Sequence, residues 1–498
     1  MRRPLAALAA AAALAAAAQP AAAAPVLVLD GDRVERRNDP DLPAADLPEP
    51  PGAVRAAPRR AGVRSAQATP RRTLRGELAR LLAEGQIDQA EHDARRGAYN
   101  RARKSYKRLT GARRVELGGA LANLELVAAN GELTPSRLEP LFVTLERNRQ
   151  WWTTGSLLRN GQRVSFAGSQ LVFQHYAGQG IQIQVLASFG KANALWDAEE
   201  DDDLRALLDE LMPLASDRGG VLTWEYFFRF GGGSPPWASG MSQGTALQAL
   251  GRAAQRLGQP AYRDAALRAL GLFEQPPPVG VRVDELAGPH YLIYSFAPDL
   301  RVLNAFLQSV IGLHELATLT GDPRARTLFE SADAEARREV PLYDTGVWSM
   351  YSLERESDLS YHRLVRDFLR RLCQRTGAEV YCSAGQRFTA YLGVPPAVRP
   401  LTKRIRAGVE SRLRFSLSKI SRVRLEVREE GRVVAVRSGT VGRGKRFFTW
   451  TPRAAGQLEL RASATDLAGN AAEPRSTALE VLPAKPKRKP ASEPPPAR

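Results

Sequence analysis

Twice in this chain a long segment of helical periodicity stops on a glycine with a proline two residues beyond, and a second such segment follows at once. The stops are Leu257-Gly-Gln-Pro260 and Thr320-Gly-Asp-Pro323, 63 residues apart. Glycine past the last periodic residue and proline just after it end a helix: the first tolerates a left-handed backbone and the second cannot continue the hydrogen-bond ladder. The segments entering the stops also match, Met241-Ser-Gln-Gly-Thr-Ala-Leu-Gln against Asn304-Ala-Phe-Leu-Gln. In the second, Leu303, Phe306, Leu307, Val310 and Ile311 recur at the spacing of one buried helical face. An aromatic, strand-like stretch precedes each, Trp224–Phe230 and Tyr291–Phe296. A helix–turn–helix unit cannot bury its apolar face alone and stacks on copies of itself. The pattern predicts a mainly α fold, an α/α barrel (toroid) with short β elements, whose aromatic loops gather at one end around a carbohydrate-sized cleft.

After Pro400 the period changes from helical to twofold. Leu413, Phe415 and Leu417 alternate with polar residues, as do Val423, Leu425 and Val427, then Leu458, Leu460 and Ala462. With turn signals at Glu430-Gly431 and Gly469-Asn470, this predicts a small all-β, Ig-like sandwich over 400–482. It is expected to be a spacer or attachment module, dispensable for chemistry. The helical barrel is assigned to 116–395, and a charged helical segment to 73–115, where Leu78, Leu81, Leu82 and Ile87 keep a helical spacing. Residues 25–72, rich in Pro, Ala, Arg and Asp, read as a disordered leader, and 483–498 as a disordered Pro/Lys-rich tail.

The first residues carry an export signal. Arg2 and Arg3 precede an uncharged Leu/Ala run from Leu5 to Ala18, and Ala21–Ala24 offers small residues for cleavage. That run is short against the ~20 residues that span a bilayer. Residues 1–24 are therefore read as a signal peptide, with a mature start between residues 22 and 30 and a secreted or cell-wall-associated product.

The net charge of +18 is unevenly spread: +10 over residues 1–115, −6 over 116–395 and +14 over 396–498. The basic flanks suit association with an anionic wall. No recognition motif accompanies the charge, which argues against nucleic acid as a partner. The two cysteines, Cys373 and Cys382, exclude a disulfide scaffold; they are either one local bridge or two thiols. The histidines lack zinc-ligand spacing, the acidic run Glu199–Asp203 lacks a calcium loop, and no nucleophile-elbow or phosphate-loop motif occurs. No metal and no organic cofactor is expected. The chemistry-bearing feature that remains is a cluster of loop tyrosines: Tyr291, Tyr294, Tyr343, Tyr351 and Tyr361.

The ordered series Leu303–Leu316, Thr320-Gly-Asp322, Leu342-Tyr-Asp-Thr-Gly346, Tyr351-Ser-Leu353 and Tyr361-His362 resembles the C-terminal domain of D-glucuronyl C5-epimerases. The resemblance is clearest over 290–395 and extends loosely through Pro235–Gly244 and Phe173–Gln182. It implies a uronic-acid polysaccharide of heparan or heparosan type as substrate and Tyr294, Tyr351 and Tyr361 as catalytic residues. Inverting carbon 5 means removing the proton α to the carboxylate and returning one to the opposite face, which needs two acid/base groups across the ring. Arg229 and Arg301 are candidates to hold the substrate carboxylate, Trp237 and Trp348 to stack on sugar faces, and His362 to bind substrate. Ile293 stands where the animal enzymes carry a glutamate, and the segment between Tyr351 and Tyr361 is shorter than theirs. A polysaccharide lyase on the same scaffold would start from the same proton abstraction and suit Tyr361-His362. A non-catalytic glycan-binding protein would keep only the scaffold.

Overall fold

A computed structural model describes residues 24–42 and 72–484; nearly all of the segment read as a signal peptide, most of that read as a leader and the end of the tail lie outside the described residues. In chain order the elements begin with strands β1 (Ala24–Asp30) and β2 (Arg33–Asp39), then helices α1 (Leu74–Ala83), α2 (Gln89–Arg108), α3 (Gly111–Ala129) and α4 (Pro135–Thr154). Next come β3 (Arg163–Phe166), β4 (Phe173–Tyr176), β5 (Gly180–Ile183), α5 (Val185–Asp197), α6 (Asp201–Leu211), β6 (Ser216–Arg218) and β7 (Val221–Thr223). The repeat region holds α7 (Gly240–Leu257), α8 (Pro260–Ala269), α9 (Gly271–Glu274), β8 (Arg282–Asp284), β9 (Pro289–Tyr291), α10 (Leu303–Thr320) and α11 (Pro323–Glu339). It continues with β10 (Met350–Ser352), β11 (Arg355–Glu356), α12 (Leu359–Thr376) and α13 (Glu379–Tyr391).

Helices α5, α7, α10 and α12 pack side by side in that order, and each is backed by the helix that follows it, α6, α8, α11 or α13. The turns α7–α8 and α10–α11 pass through Gly258 at φ 63° and Gly321 at φ 69°, the left-handed conformation that glycine adopts without penalty. A third hairpin, α12–α13, turns on Gly377 at φ 65°; it has no proline after the glycine, so the sequence pattern passes over it. Cys373 and Cys382 form a disulfide across this turn, with a Cα separation of 4.8 Å.

Helices α7 and α10 meet through small residues. A Cβ on Gly312 would stand 2.0 Å from the Gly244 carbonyl oxygen, and one on Gly244 would stand 2.7 Å from the Ser309 Cα. Gly312→Ala therefore forces two backbones apart in a close-packed core. It should lower stability by about 2 kcal/mol or more, read as a shifted denaturation midpoint. Gly251→Ala, on the facing helix α7, should cost less, because its new Cβ would meet mainly the movable ends of Leu316 and Leu319, at 3.3 and 3.4 Å.

Three expectations are corrected. Residues 24–42 are not a disordered leader: β1 pairs antiparallel with β2 and parallel with β3, within a sheet of order β2-β1-β3-β4-β5. The run Val26-Leu-Val-Leu29 is aliphatic enough to be buried, which a composition averaged over the whole leader conceals; Val26 and Val28 pack with Leu42, Val172 and Ala187. The boundary at 115/116 falls inside α3, and Leu74, Leu78 and Leu81 belong to the same core as α7 and α10. The aromatic stretches are loops rather than strands, because their rings pack into the core; regular pairing is limited to Tyr291 at the end of β9, with bridges such as Tyr226 to Trp237.

The C-terminal region is all β. Strands β12 (Val398–Pro400), β14 (Ser411–Leu417) and β17 (Gly444–Trp450) form one sheet. The other has the order β13-β19-β18-β15-β16, made of β13 (Arg404–Arg406), β15 (Ser421–Glu429), β16 (Arg432–Val441), β18 (Gly456–Asp466) and β19 (Arg475–Leu482). Between the sheets lies a separate core that includes Leu413, Phe415, Val423, Leu425 and Leu460.

Candidate active site

At the loop end of α7 and α12 lies a cavity of about 340 Å³. Its wall is aromatic and amide-rich: Tyr176, Tyr226, Phe230, Trp237, Tyr294 and Tyr361 line it, with Gln174, Gln179 and Gln184. Ile293 lines it where the animal pattern has a carboxylate, and no Asp, Glu, His or Lys is among the lining residues. The ionisable groups facing the space are four phenols and the guanidinium of Arg229. Arg229 is exposed, and among the described residues no carboxylate pairs with it.

Each phenol is placed by local structure. Tyr294 follows β9 in a loop tied to the start of α7 by Gly240 N–H to Leu292 O (3.0 Å) and Ser295 N–H to Ala238 O (2.9 Å). Its ring stacks on Phe296 (5.2 Å between centroids) and meets Trp237 edge-on (5.5 Å). Tyr361 sits in the first turn of α12, where the N-cap carboxylate of Asp358 accepts its backbone N–H at 2.9 Å. Tyr351 comes from β10 and packs its ring 4.6 Å from that of Tyr361. Tyr294, Tyr351 and Tyr361, scattered along 68 residues of chain, are thus neighbours at one end of the helical region.

Burial shapes their ionisation. It pushes Tyr294 and Tyr361 well above the ordinary phenol range, and the neighbouring phenols add to the effect. Burial also raises Tyr351, but only to about 12, because a hydrogen bond from Tyr361 and the charge of Arg355 favour its anion. The Arg355 guanidinium lies 5.7 Å from the Tyr351 ring centre. Of the three, Tyr351 carries negative charge most readily.

Tyr176 and Tyr226 were not among the residues singled out from sequence, although the segments that carry them were. The Tyr226 hydroxyl is saturated: it donates to Gln184 (3.0 Å), meets Ser242 Oγ (2.8 Å) and accepts from Leu186 N–H (3.1 Å). The Tyr176 hydroxyl accepts from Gln184 Nε2 at 2.8 Å. No hydrogen bond from the described residues reaches the Tyr294 hydroxyl. A buried triad behind the wall fixes it: Glu225 takes two bonds from Arg137 (2.7 and 3.1 Å) and one from Arg218.

Four of the proposed binding residues lie elsewhere or are already engaged. Arg301 does not face the cavity: it pairs with Glu285 (2.7 and 3.0 Å). It belongs to an ionic cluster beside His290 and Glu339, whose carboxyl burial and Glu335 push up to about 8. Trp237 lines the cavity, but both faces are covered, by Tyr226 at 4.3 Å and Phe230 at 5.5 Å, so it holds the wall and offers no platform to a sugar. Trp348 is fully buried, stacked on His362 at 3.8 Å with the Lys419 ammonium 5.0 Å from its ring centre. His362 is fully buried too. Ser349 N–H donates to its Nδ1 (3.3 Å), so Nε2–H is the proton given to Phe388 O (2.8 Å). Burial lowers the imidazole to about 4, leaving it neutral and unable to serve as the acid of a lyase.

The β-sandwich is not a loose spacer. Glu356 of β11 accepts the N–H groups of Ile420 (2.9 Å) and Arg443 (2.6 Å). Lys419 is completely buried, bonds Asp466 at 2.6 Å and donates to the carbonyls of Tyr391 (3.0 Å) and Val394. The β10–β11 hairpin that carries Tyr351 is therefore hydrogen-bonded to the sandwich.

The helical region thus ends in a phenol-lined pocket beside a guanidinium with no carboxylate partner among the described residues. Residues 218–390, which contain all three tyrosines, match the family described as D-glucuronyl C5-epimerase C-terminus. It is 32% identical over 132 residues to the D-glucuronyl C5-epimerase of Caenorhabditis elegans, covering 24% of this chain and 21% of that one. An uncharacterized protein of Methanocaldococcus jannaschii is 26% identical over 168 residues, 32% of this chain and 54% of that one. The chain thus spans about a fifth and about half of these relatives. Among solved structures, cellobiose 2-epimerase from Bacillus thermoamylovorans B4167 aligns with 56% of this chain and 74% of its own, at 10% identity and a TM-score of 0.34.

Proposed function

We propose that the protein is an exported uronyl C5-epimerase acting on a uronic-acid polysaccharide, with the helical region as an α/α toroid and the C-terminal module as an Ig-like sandwich. One observation carries the reading. In a cavity with no lining carboxylate, imidazole or ammonium, the groups able to exchange a proton are phenols. Two of those come from separate elements, Tyr294 from the loop after β9 and Tyr361 from the first turn of α12, and Arg229 is free to pair with the substrate carboxylate. One tyrosine in its phenolate form takes the C5 proton as the C5–H electron pair moves into the carboxylate. The other phenol then gives its proton to the opposite face and becomes the phenolate. The enolate-like intermediate is stabilised by the guanidinium paired with its carboxylate. When Tyr361 is the base, its phenolate accepts the hydroxyl proton of Tyr351, and the pair shares the negative charge beside Arg355.

Because these phenols titrate above neutrality, the phenolate fraction rises with pH. Turnover should climb about tenfold per pH unit between about pH 6 and 9. A flat profile over that range would remove the phenolate from the mechanism. The direct test incubates polymeric uronan in deuterated water and reads label at C5 by NMR. Label with inverted sugars supports the epimerase. Absorbance from an unsaturated uronate would identify a lyase, and binding without label a glycan-binding protein.

A further inference from the structure

The two faces of the β-sandwich differ in how their charge is compensated. On the outer face of the five-stranded sheet, Arg424 and Arg428 both pair with Glu426, and Arg404 pairs with Glu480. On the three-stranded sheet the buried positions of β14 are Leu413, Phe415 and Leu417, so Arg412, Arg414 and Ser416 point outward. Register places Lys445 and Arg399 on either side of Ser416, and Phe447 opposite Arg414. Arg399, Arg412, Arg414 and Lys445 are exposed, and no carboxylate among the described residues pairs with any of them. Phe447 is 45% exposed and lies under the Arg412 guanidinium, 4.4 Å from ring centre to Cζ.

We propose that this face is a second binding site, for a stretch of linear acidic polysaccharide distinct from the stretch in the cavity. The sheet sets the spacing of its cations: ~7 Å between Arg412 and Arg414 along the strand, and ~10 Å from Arg399 to Lys445 across two strand gaps. That is a flat, open row on the scale of one or two sugar rings, suited to carboxylates repeating along an extended chain. Four unpaired cations on one face repel one another, and a polyanion relieves that repulsion. The Phe447 ring holds the Arg412 fork in place before binding, so less side-chain freedom is lost on contact. Folded nucleic acid or a lipid surface would use the charge but would gain nothing specific from a single row of this width. The charge pattern stands alone; only the choice of a uronan as the polymer rests on the function proposed above.

The test uses the full chain and fluorescein-labelled polygalacturonate at low salt. The variant R399Q/R412Q/R414Q/K445Q keeps the stems and should bind at least ~10-fold more weakly, while R422Q/R461Q on the other sheet stays within ~2-fold of the parent. F447A alone should weaken binding by a smaller factor. Turnover of an oligosaccharide long enough only for the cavity should be unchanged in the fourfold variant, so a failure of the epimerase reading leaves the binding result intact. The proposal falls if the fourfold variant binds like the parent or if the control loses as much. It also falls if duplex DNA or anionic vesicles bind as tightly as the uronan and F447A changes nothing.

Discussion

Replacing Tyr294 or Tyr361 by phenylalanine should reduce C5 epimerisation by ~100-fold or more while leaving glycan affinity nearly unchanged. Each substitution removes one oxygen from a ring that is otherwise held by aromatic contacts: Tyr294 between Phe296, Trp237 and Phe230, Tyr361 against Tyr351. Packing is preserved and the transferable proton is lost. The two variants should also differ in kind. Whichever tyrosine is the base for a given sugar face, its loss abolishes deuterium wash-in at C5. Loss of the opposing acid leaves abstraction and return on the same face, so label appears without inversion. Tyr351→Phe deletes an acceptor one step behind the cavity and should cost less than either. Equal, small losses in all three variants would sink the two-phenol mechanism.

The second large effect is expected far from the cavity. Lys419→Met should destabilise the protein by about 3–5 kcal/mol, because it strands the buried Asp466 carboxylate. Burial opposes that carboxylate's charge, yet hydrogen bonds from Asn470 and Lys419 hold it ionised below the ordinary range. The methionine also leaves the Tyr391 and Val394 carbonyls without their donor. Adding Asp466→Asn removes the buried charge while keeping an oxygen for the Ala468 and Asn470 N–H groups, and should recover part of the loss. Below its melting range, the single variant should show a lower kcat with KM nearly unchanged, since the sandwich steadies the hairpin of Tyr351 rather than the cavity wall. A folded Lys419→Met protein with parental stability and kcat would show that the junction is a passive seam.

Much of the helical framework is legible in the chain. The glycine stops, the apolar face of α10 and the change of period at Pro400 are local signals, and local backbone chemistry produces the elements that they announce. The hairpin on Gly377 lacked the proline that marks the other two, and β1 was hidden because four aliphatic residues sit in a long polar stretch. Tyr294, Tyr351 and Tyr361 could be chosen through the family's motif order. The same reasoning overvalued Arg301, Trp237, Trp348 and His362, since residue type says what a side chain can do and not whether its faces are free.

That freedom is a property of packing. Trp237 loses both faces to rings 11 residues before it and seven before it in the chain, and His362 is committed by a serine backbone and a helix carbonyl. Arg229 and Arg301 are chemically identical, yet only the second has a carboxylate within reach. The sequence by itself determined which segments are helical, where two of the three glycine hairpins turn and which residues can exchange a proton. Tertiary structure decided which of those residues share one cavity, how burial moves their ionisation, and that the C-terminal sandwich is hydrogen-bonded to the hairpin of Tyr351. The physical reason is range: periodicity and capping act within a turn or two of helix, whereas desolvation and charge pairing depend on neighbours far along the chain, such as Lys191 on Asp39, 152 positions apart.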